Sequence, residues 1–144
     1  MASNRPKVLK RVLLLSLVSC ALSAQPLINA HADETAVASG QQTNGKARVD
    51  ILSLKRTEGG TVTLRFAVTN ENNNTLSIVI GNMRLIDLVN RRIYEPGLQS
   101  PSCNVPSTER LICWAMFAAP NASVSMVNVS FYEDFGLIPV PISN

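Results

Sequence analysis

The stretch TVTLRFAVT, residues 61–69, decides the fold of this chain. Its apolar and polar side chains alternate one by one, as they do in a β-strand with one buried and one solvent-facing side. The turn EGG, residues 58–60, precedes it, and the loop NENNN, residues 70–74, follows it, since glycine and asparagine tolerate the backbone angles of turns. We therefore predict a half-buried strand here, bounded by turns on both sides.

Similar patterns extend outward from this strand in both directions. Further strands are predicted at residues 49–54, 76–80, 83–88, 92–94, 110–118, 124–131 and 137–142. Residues 97–108 are predicted to be a long loop, and Pro139 and Pro141 make the last strand an edge strand or a covering tail. No amphipathic helix of convincing length is found. About seven or eight short strands at this spacing predict an all-β fold of the β-sandwich type.

The N-terminus has the order of a secretory signal peptide. A basic start is followed by the apolar run of residues 12–22, which is too short to span a bilayer, and then by the cleavage pattern Ala30-His31-Ala32. We predict a signal peptide over residues 1–32, a flexible leader over 33–46 and one domain over 47–144. A second interpretation stays open, because Leu17-Val18-Ser19-Cys20 resembles a bacterial lipobox, in which Cys20 would carry a lipid.

The net charge of +3 belongs mainly to the export segment. Residues 1–32 carry four of the 13 basic residues and none of the 10 acidic ones, so the mature chain has a net charge of −1. A nucleic-acid interface is therefore not expected, since the basic charge does not belong to the folded domain.

Two cysteines remain after either maturation route, Cys103 and Cys113. In an exported chain such a pair indicates a disulfide, which here would close a loop of about 11 residues. The only histidine, His31, is removed by cleavage after Ala32. That loss excludes Ser-His-Asp and Cys-His catalysis and histidine-ligated zinc.

Other chemical candidates are weak. Glu133 and Asp134 are adjacent carboxylates, but neighbours on a strand or turn point apart rather than across a cleft. Arg84, Arg91 and Arg92 could gather at one hairpin and bind an anionic surface, or form an ordinary solvated tip. We therefore expect no catalytic residue, no cofactor and no metal site.

The strand at residues 110–118 supplies the one candidate binding surface. If Cys113 and Phe117 face the core, Ile112, Trp114 and Met116 face outward, and an exposed apolar patch of this kind marks a partner surface. Two alternatives stay open: the proline-rich C-terminal segment covers Trp114, or Trp114 fills a small core under a loop.

The sequence also resembles a bacterial family. Residues 53–66, SLKRTEGGTVTLRF, the segments LID at 85–87 and RRIY at 91–94, residues 111–120 and the closing VPIS at 140–143 are similar to small exported domains with an immunoglobulin-like sandwich. In that family the domain stands alone or precedes an OmpA-like peptidoglycan-binding domain. This chain has no such second domain, so the resemblance implies a fold but neither a ligand nor catalytic residues.

These observations predict a secreted or periplasmic, non-catalytic binding or structural module of the bacterial envelope. We expect a protein partner in the cell envelope, no nucleic acid, and membrane attachment only if Cys20 is lipidated. Two alternatives are an inhibitor or immunity-type protein that uses a projecting loop at 97–108, and a lipoprotein subunit of an envelope assembly. The sequence does not indicate the oligomeric state.

Overall fold

The computed structural model describes residues 34–131 and 134–144 of the chain. The predicted signal peptide over residues 1–32, with Cys20 and His31, and the carboxylate of Glu133 lie outside these residues. In the part that is described, no helix has the length and apolar character needed to cross a membrane.

The described residues form eleven β-strands, which we number in chain order. They are β1 (Ala38–Gln41), β2 (Ala47–Thr57), β3 (Thr61–Asn70), β4 (Leu76–Ser77), β5 (Arg84–Asp87), β6 (Arg92–Tyr94), β7 (Pro96–Gln99), β8 (Asn104–Val105), β9 (Arg110–Ala118), β10 (Met126–Ser130) and β11 (Leu137–Pro141). A short 3₁₀ helix, Ile80–Asn82, lies between β4 and β5.

The strands pair in two main antiparallel sheets. One has five strands in the order β1-β2-β3-β9-β7, the other has four in the order β11-β10-β5-β6, and β4 pairs with β8 apart from both. The predicted all-β sandwich with one disulfide is therefore confirmed. There are more strands than the seven or eight predicted, because β1, β7 and β8 lie in segments that were expected to be leader or loop.

The core lies between the two sheets, where the inward side chains of both close on each other. Phe66 of β3 packs edge-on against Phe131, with ring centroids 5.1 Å apart, and Phe131 in turn meets Phe135 at 6.0 Å. The largest fully buried side chains are Phe66, Phe117, Phe131, Ile51, Leu54, Leu64, Met83 and Leu85. The alternation in residues 61–69 has thus placed its apolar side inward as predicted.

The prediction of a flexible leader over residues 33–46 is corrected by β1. Ala38–Gln41 pair with β2 from Arg48 to Ile51. A Cβ at Gly40 would collide with the side chain of Ile138 in β11, so a larger residue here would require that side chain to move. The segment is small and polar because it forms a sheet edge by backbone hydrogen bonds rather than by apolar burial.

The predicted loop at residues 97–108 is also corrected. The chain leaves the four-stranded sheet after β6 and enters the five-stranded sheet at once as β7, which pairs with β9. Proline is tolerated as the first residue of an edge strand, and the register shift between Pro96 and Leu98 absorbs Gly97 as a bulge. The run at 76–80 is likewise a two-residue strand followed by the 3₁₀ helix.

The last strand is an edge strand, as one of the two predicted alternatives had it. The N–H of Ile142 donates to the carbonyl of Ser125 at 2.8 Å, so alternate N–H groups of this strand point inward to the sheet. Pro139 and Pro141 stand at the intervening positions, where an N–H would point outward.

Candidate functional site

The outward-facing side chains of β9 form the predicted surface. Ile112 and Trp114 are 43% and 37% exposed, and Met116 is half-buried. The alternate residues of the strand are buried in the core: Cys113, Ala115 and Phe117. The structure therefore places the three predicted residues together in one row on the outer side of the five-stranded sheet.

The neighbouring strand adds a fourth apolar side chain that the sequence analysis missed. Leu98 of β7 lies opposite Met116 in the register and is 62% exposed. It was missed because Pro96 and Gly97 precede it, and both residues are typical of loops. We refer to Leu98, Ile112, Trp114 and Met116 as the β9 face.

β3 lies on the other side of β9 from β7. Its polar residues Thr63 and Arg65 lie opposite Met116 and Trp114, and the buried Ala67 lies opposite Ile112. The guanidinium of Arg65 pairs with the carboxylate of Glu34 at 2.8 Å. Both side chains are more than two-fifths exposed, so this ion pair contributes little to stability. It places Glu34, at the start of the described chain, beside Arg65 of β3.

Two attachments hold the backbone of Trp114 in place. The hydroxyl of Ser100 accepts the Trp114 N–H at 2.9 Å, and the Ser100 N–H donates to the Trp114 carbonyl at 3.0 Å. The disulfide Cys103–Cys113, with Cα atoms 6.0 Å apart, links the segment after Ser100 to Cys113, which directly precedes Trp114 in β9. The backbone beneath the β9 face is therefore held by hydrogen bonds to neighbouring strands and by the disulfide.

The segment expected to cover Trp114 lies elsewhere. β11, the proline-rich strand, belongs to the four-stranded sheet, whereas Trp114 belongs to the five-stranded one. Residues 97–99 lie along the edge of the five-stranded sheet in β7, and residues 104–105 form β8, which pairs with β4 apart from both sheets. Trp114 stays more than one-third exposed among the described residues.

The three arginines considered for an anionic surface do not gather at one point. Arg84, at the start of β5, pairs with Glu95 at 3.0 Å and donates to the carbonyls of Gly81 and Met83. Arg91 and Arg92 lie at the opposite end of the β5–β6 hairpin, in and after its turn. Of the three arginines, only Arg91 and Arg92 therefore lie at the same end of the hairpin.

Among the described residues, the carboxylate of Asp87 has a shifted pKa. The Asn90 side-chain amide donates to Asp87 at 2.8 Å and the Asn90 backbone N–H donates to it at 3.0 Å, and these bonds lower the pKa of Asp87 from its ordinary value of 3.8. Bonds to the charged form always act in this direction. Asp87 thereby fixes the hairpin turn and stays ionised, which suits a structural role better than proton transfer.

One surface cleft of the described chain has a mainly polar lining. This cleft of about 430 Å³ lies between the hairpin and the loop after β9, lined by Asn90, Arg92, Tyr94, Ala119 and Asn121. Within residues 34–131 and 134–144, no three His, Cys, Asp or Glu side chains come together as metal ligands would. The β9 face is outside this cleft.

No family model, no curated protein and no solved structure matches this chain. The resemblance to small exported bacterial domains therefore stays a prediction, and the function is inferred from the chain's own residues.

Proposed function

We propose that this protein is an exported, non-catalytic binding module of the bacterial envelope that contacts a protein partner through the β9 face. The observation that carries the proposal is the row of exposed apolar side chains around Trp114 on a braced backbone. Tryptophan is enriched among the residues that dominate interface energies, and a rigid backbone lowers the entropy lost on binding.

Export is supported by two features of the chain. The order of charge, apolar run and Ala30-His31-Ala32 is that of a signal peptide, and the Cys103–Cys113 disulfide suits an oxidising compartment. Intact-mass spectrometry of the protein from a cell envelope fraction tests this. We expect a chain that starts at Asp33 with its two cysteines oxidised; a lipid on Cys20 would establish the lipoprotein alternative, and an uncleaved reduced chain would contradict export.

The inhibitor alternative would be favoured by a projecting loop at residues 97–108. Part of this segment is paired in β7 and β8, so it offers less free chain for insertion into a cleft than a loop of that length. We therefore propose the β9 face as the surface that contacts the protein partner.

Site-specific photocrosslinking tests the contact surface. Benzoylphenylalanine replaces Leu98 in the exported protein, and a matched control carries it at Leu137, which is 56% exposed on the other sheet. We expect adducts with one protein from position 98 and none with that protein from position 137. Adducts at both positions, or at neither, would contradict a specific partner at the β9 face.

The partner identified in this way allows a quantitative test. We expect Trp114→Ala to weaken binding of the purified partner by about 30-fold or more, the range of an interface hot spot, and Leu137→Ala to leave it within about twofold. Equal affinities of the Trp114→Ala variant and the wild type would remove the β9 face as the binding surface.

A further inference from the structure

We propose that the β5–β6 hairpin tip, Leu88–Arg91, is a contact site for a bilayer surface that carries anionic phospholipids. Leu88 and Val89 would enter the headgroup region, and Arg91 and Arg92 would face the lipid phosphates. This surface is separate from the β9 face, and the proposal does not depend on a protein partner there.

The first observation is the exposure of the tip. Leu88 and Val89 are 67% and 81% exposed, which makes Val89 the most exposed large apolar side chain in the described chain, and Ile93 on the adjoining strand is 65% exposed. The side chains of Leu88 and Val89 therefore make little contact with their own domain. They can enter the soft boundary between headgroups and acyl chains, which is how apolar side chains anchor peripheral proteins.

The second observation is that the turn is fixed. Both carboxylate oxygens of Asp87 accept hydrogen bonds from Asn90, and Arg91 takes a left-handed backbone conformation with a φ of 54°. The two aliphatic side chains therefore project from a turn that is already ordered, so little entropy is lost when they are inserted.

The third observation is the charge at this end of the sandwich. Within the described chain, neither Arg91 nor Arg92 has a carboxylate within salt-bridge distance. The β2–β3 turn lies at the same end, because the Ala119 N–H donates to Gly60 and Ala119 borders the cleft beside the hairpin. At this end of the sandwich the basic residues therefore outnumber the acidic ones: Lys55, Arg56, Arg91 and Arg92 against Glu58 and Asp87. The charges of Arg65 and Glu34, which pair with each other, cancel.

The polar cleft beside the tip suits a phosphate headgroup. Arg92 and Tyr94 line one wall, and Asn121 lines the other. The far wall is held by Arg56, whose guanidinium donates to the carbonyls of Pro120, Asn121 and Val124 at 2.8–2.9 Å. A guanidinium beside hydroxyl and amide groups is the kind of donor set that binds phosphate oxygens.

The fourth observation is the direction of the N-terminal segment. Ala38 pairs with Ile51, whereas Glu34 reaches Arg65, which lies opposite Ser53. Since β2 runs towards the β2–β3 turn, the chain from Ala38 back to Glu34 runs towards the same end as the hairpin tip. The described part of the chain therefore starts on the side of the domain that carries the hairpin tip.

Vesicle co-sedimentation tests the proposal. The full chain is expressed with its own export signal and with Cys20→Ser, so that an attached lipid cannot account for binding. We expect it to bind vesicles of equal parts phosphatidylglycerol and phosphatidylcholine, and to bind pure phosphatidylcholine much more weakly. No binding to the anionic vesicles would overturn the proposal.

Two double variants and two matched controls locate the contact. We expect Arg91→Gln/Arg92→Gln to weaken binding roughly 30-fold, at about fivefold per arginine, and Leu88→Ser/Val89→Ser to weaken it about tenfold or more. Lys46→Gln/Arg110→Gln removes two positive charges at the far end, and Leu98→Ser/Met116→Ser removes apolar surface on the β9 face; both should bind as the parent does. Equal losses in the controls would overturn the assignment to the tip.

Fluorescence distinguishes insertion from binding of a free anion. Trp114 is the only tryptophan, so Val89→Trp in a Trp114→Phe background reports on the tip alone. We expect its emission to shift to shorter wavelength with anionic vesicles and not with glycerol phosphate. Saturable binding of glycerol phosphate without any vesicle-dependent shift would identify a small-anion site and overturn the membrane proposal. An unchanged thermal midpoint of each variant confirms that it is folded.

Discussion

The β9 face and the hairpin tip both expose aliphatic side chains, yet the chain supports them differently. β9 is hydrogen-bonded to β3 on one side and to β7 on the other, and the disulfide and Ser100 fasten it further. β6 is the edge strand of its sheet, and the turn next to it is ordered by Asp87 and Asn90 alone among the side chains described. A braced sheet surface suits a protein partner of complementary shape, whereas an exposed turn at a sheet edge suits the boundary between lipid headgroups and acyl chains.

Truncation of a buried side chain of β9 should have the largest effect on the free energy of unfolding. Phe117 is 1% exposed, and Phe117→Ala would leave a cavity between the sheets, so we expect it to reduce the free energy of unfolding by about 3–5 kcal/mol. Urea denaturation measures this. The control Leu98→Ala, at an exposed position on the same sheet, should stay within about 0.5 kcal/mol of the wild type.

Removal of the covalent brace should come next. We expect Cys103→Ala/Cys113→Ala to lower the free energy of unfolding by about 2–3 kcal/mol, because the unfolded chain regains the freedom of the closed loop. Vesicle binding through the hairpin tip should not change. A variant as stable as the wild type would show that the sheet pairing of β7 alone holds this segment.

The hydroxyl of Ser100 should matter less than the disulfide but should affect the same surface. Ser100→Ala leaves the Trp114 N–H without its acceptor, and we expect a loss of about 1–3 kcal/mol in the free energy of unfolding. Hydrogen exchange at the Trp114 amide should accelerate more than exchange in β5. If both accelerated equally, Ser100 would stabilise the whole domain and not the β9 segment.

The smallest effect, and the only one that depends on pH, is expected in the hairpin. The lowered pKa of Asp87 means that its stabilising contribution is complete above its ordinary value of 3.8 and is lost as the pH falls through the lower value in the folded protein. Asp87→Asn should therefore lower the thermal midpoint at pH 7, and the difference from the wild type should shrink towards pH 2. Glu71→Gln, an exposed carboxylate, serves as the control; a difference for Asp87→Asn that grew as the pH fell would contradict this sign.

The sequence predicted those strands in which the alternation of apolar and polar side chains matches the alternation of buried and exposed positions. The alternation at residues 61–69 and 110–118 identified β3 and β9, and with β9 it identified three of the four residues of the β9 face. β1 was not predictable in this way, because its pairing depends on backbone groups and on the room that Gly40 leaves for Ile138.

The fourth residue of that surface shows the same limit. Leu98 reaches this surface because the chain passes from one sheet to the other after β6. Such a change of sheet depends on tertiary packing, which the local alternation of apolar and polar residues does not indicate. The hairpin tip was predicted as a turn with arginines, but the separation of Arg84 from Arg91 and Arg92 follows from the length of β5 and from the ion pair with Glu95.

The prolines of β11 have a consequence for how this domain behaves among copies of itself. An open sheet edge with free N–H groups can accept a strand from another molecule, and such additions lead to aggregation. Pro139 and Pro141 occupy the positions whose N–H groups would face outward, so this edge offers no donor there to an incoming strand. The domain can therefore display apolar side chains on its surfaces while this edge resists the growth of a continuous intermolecular sheet.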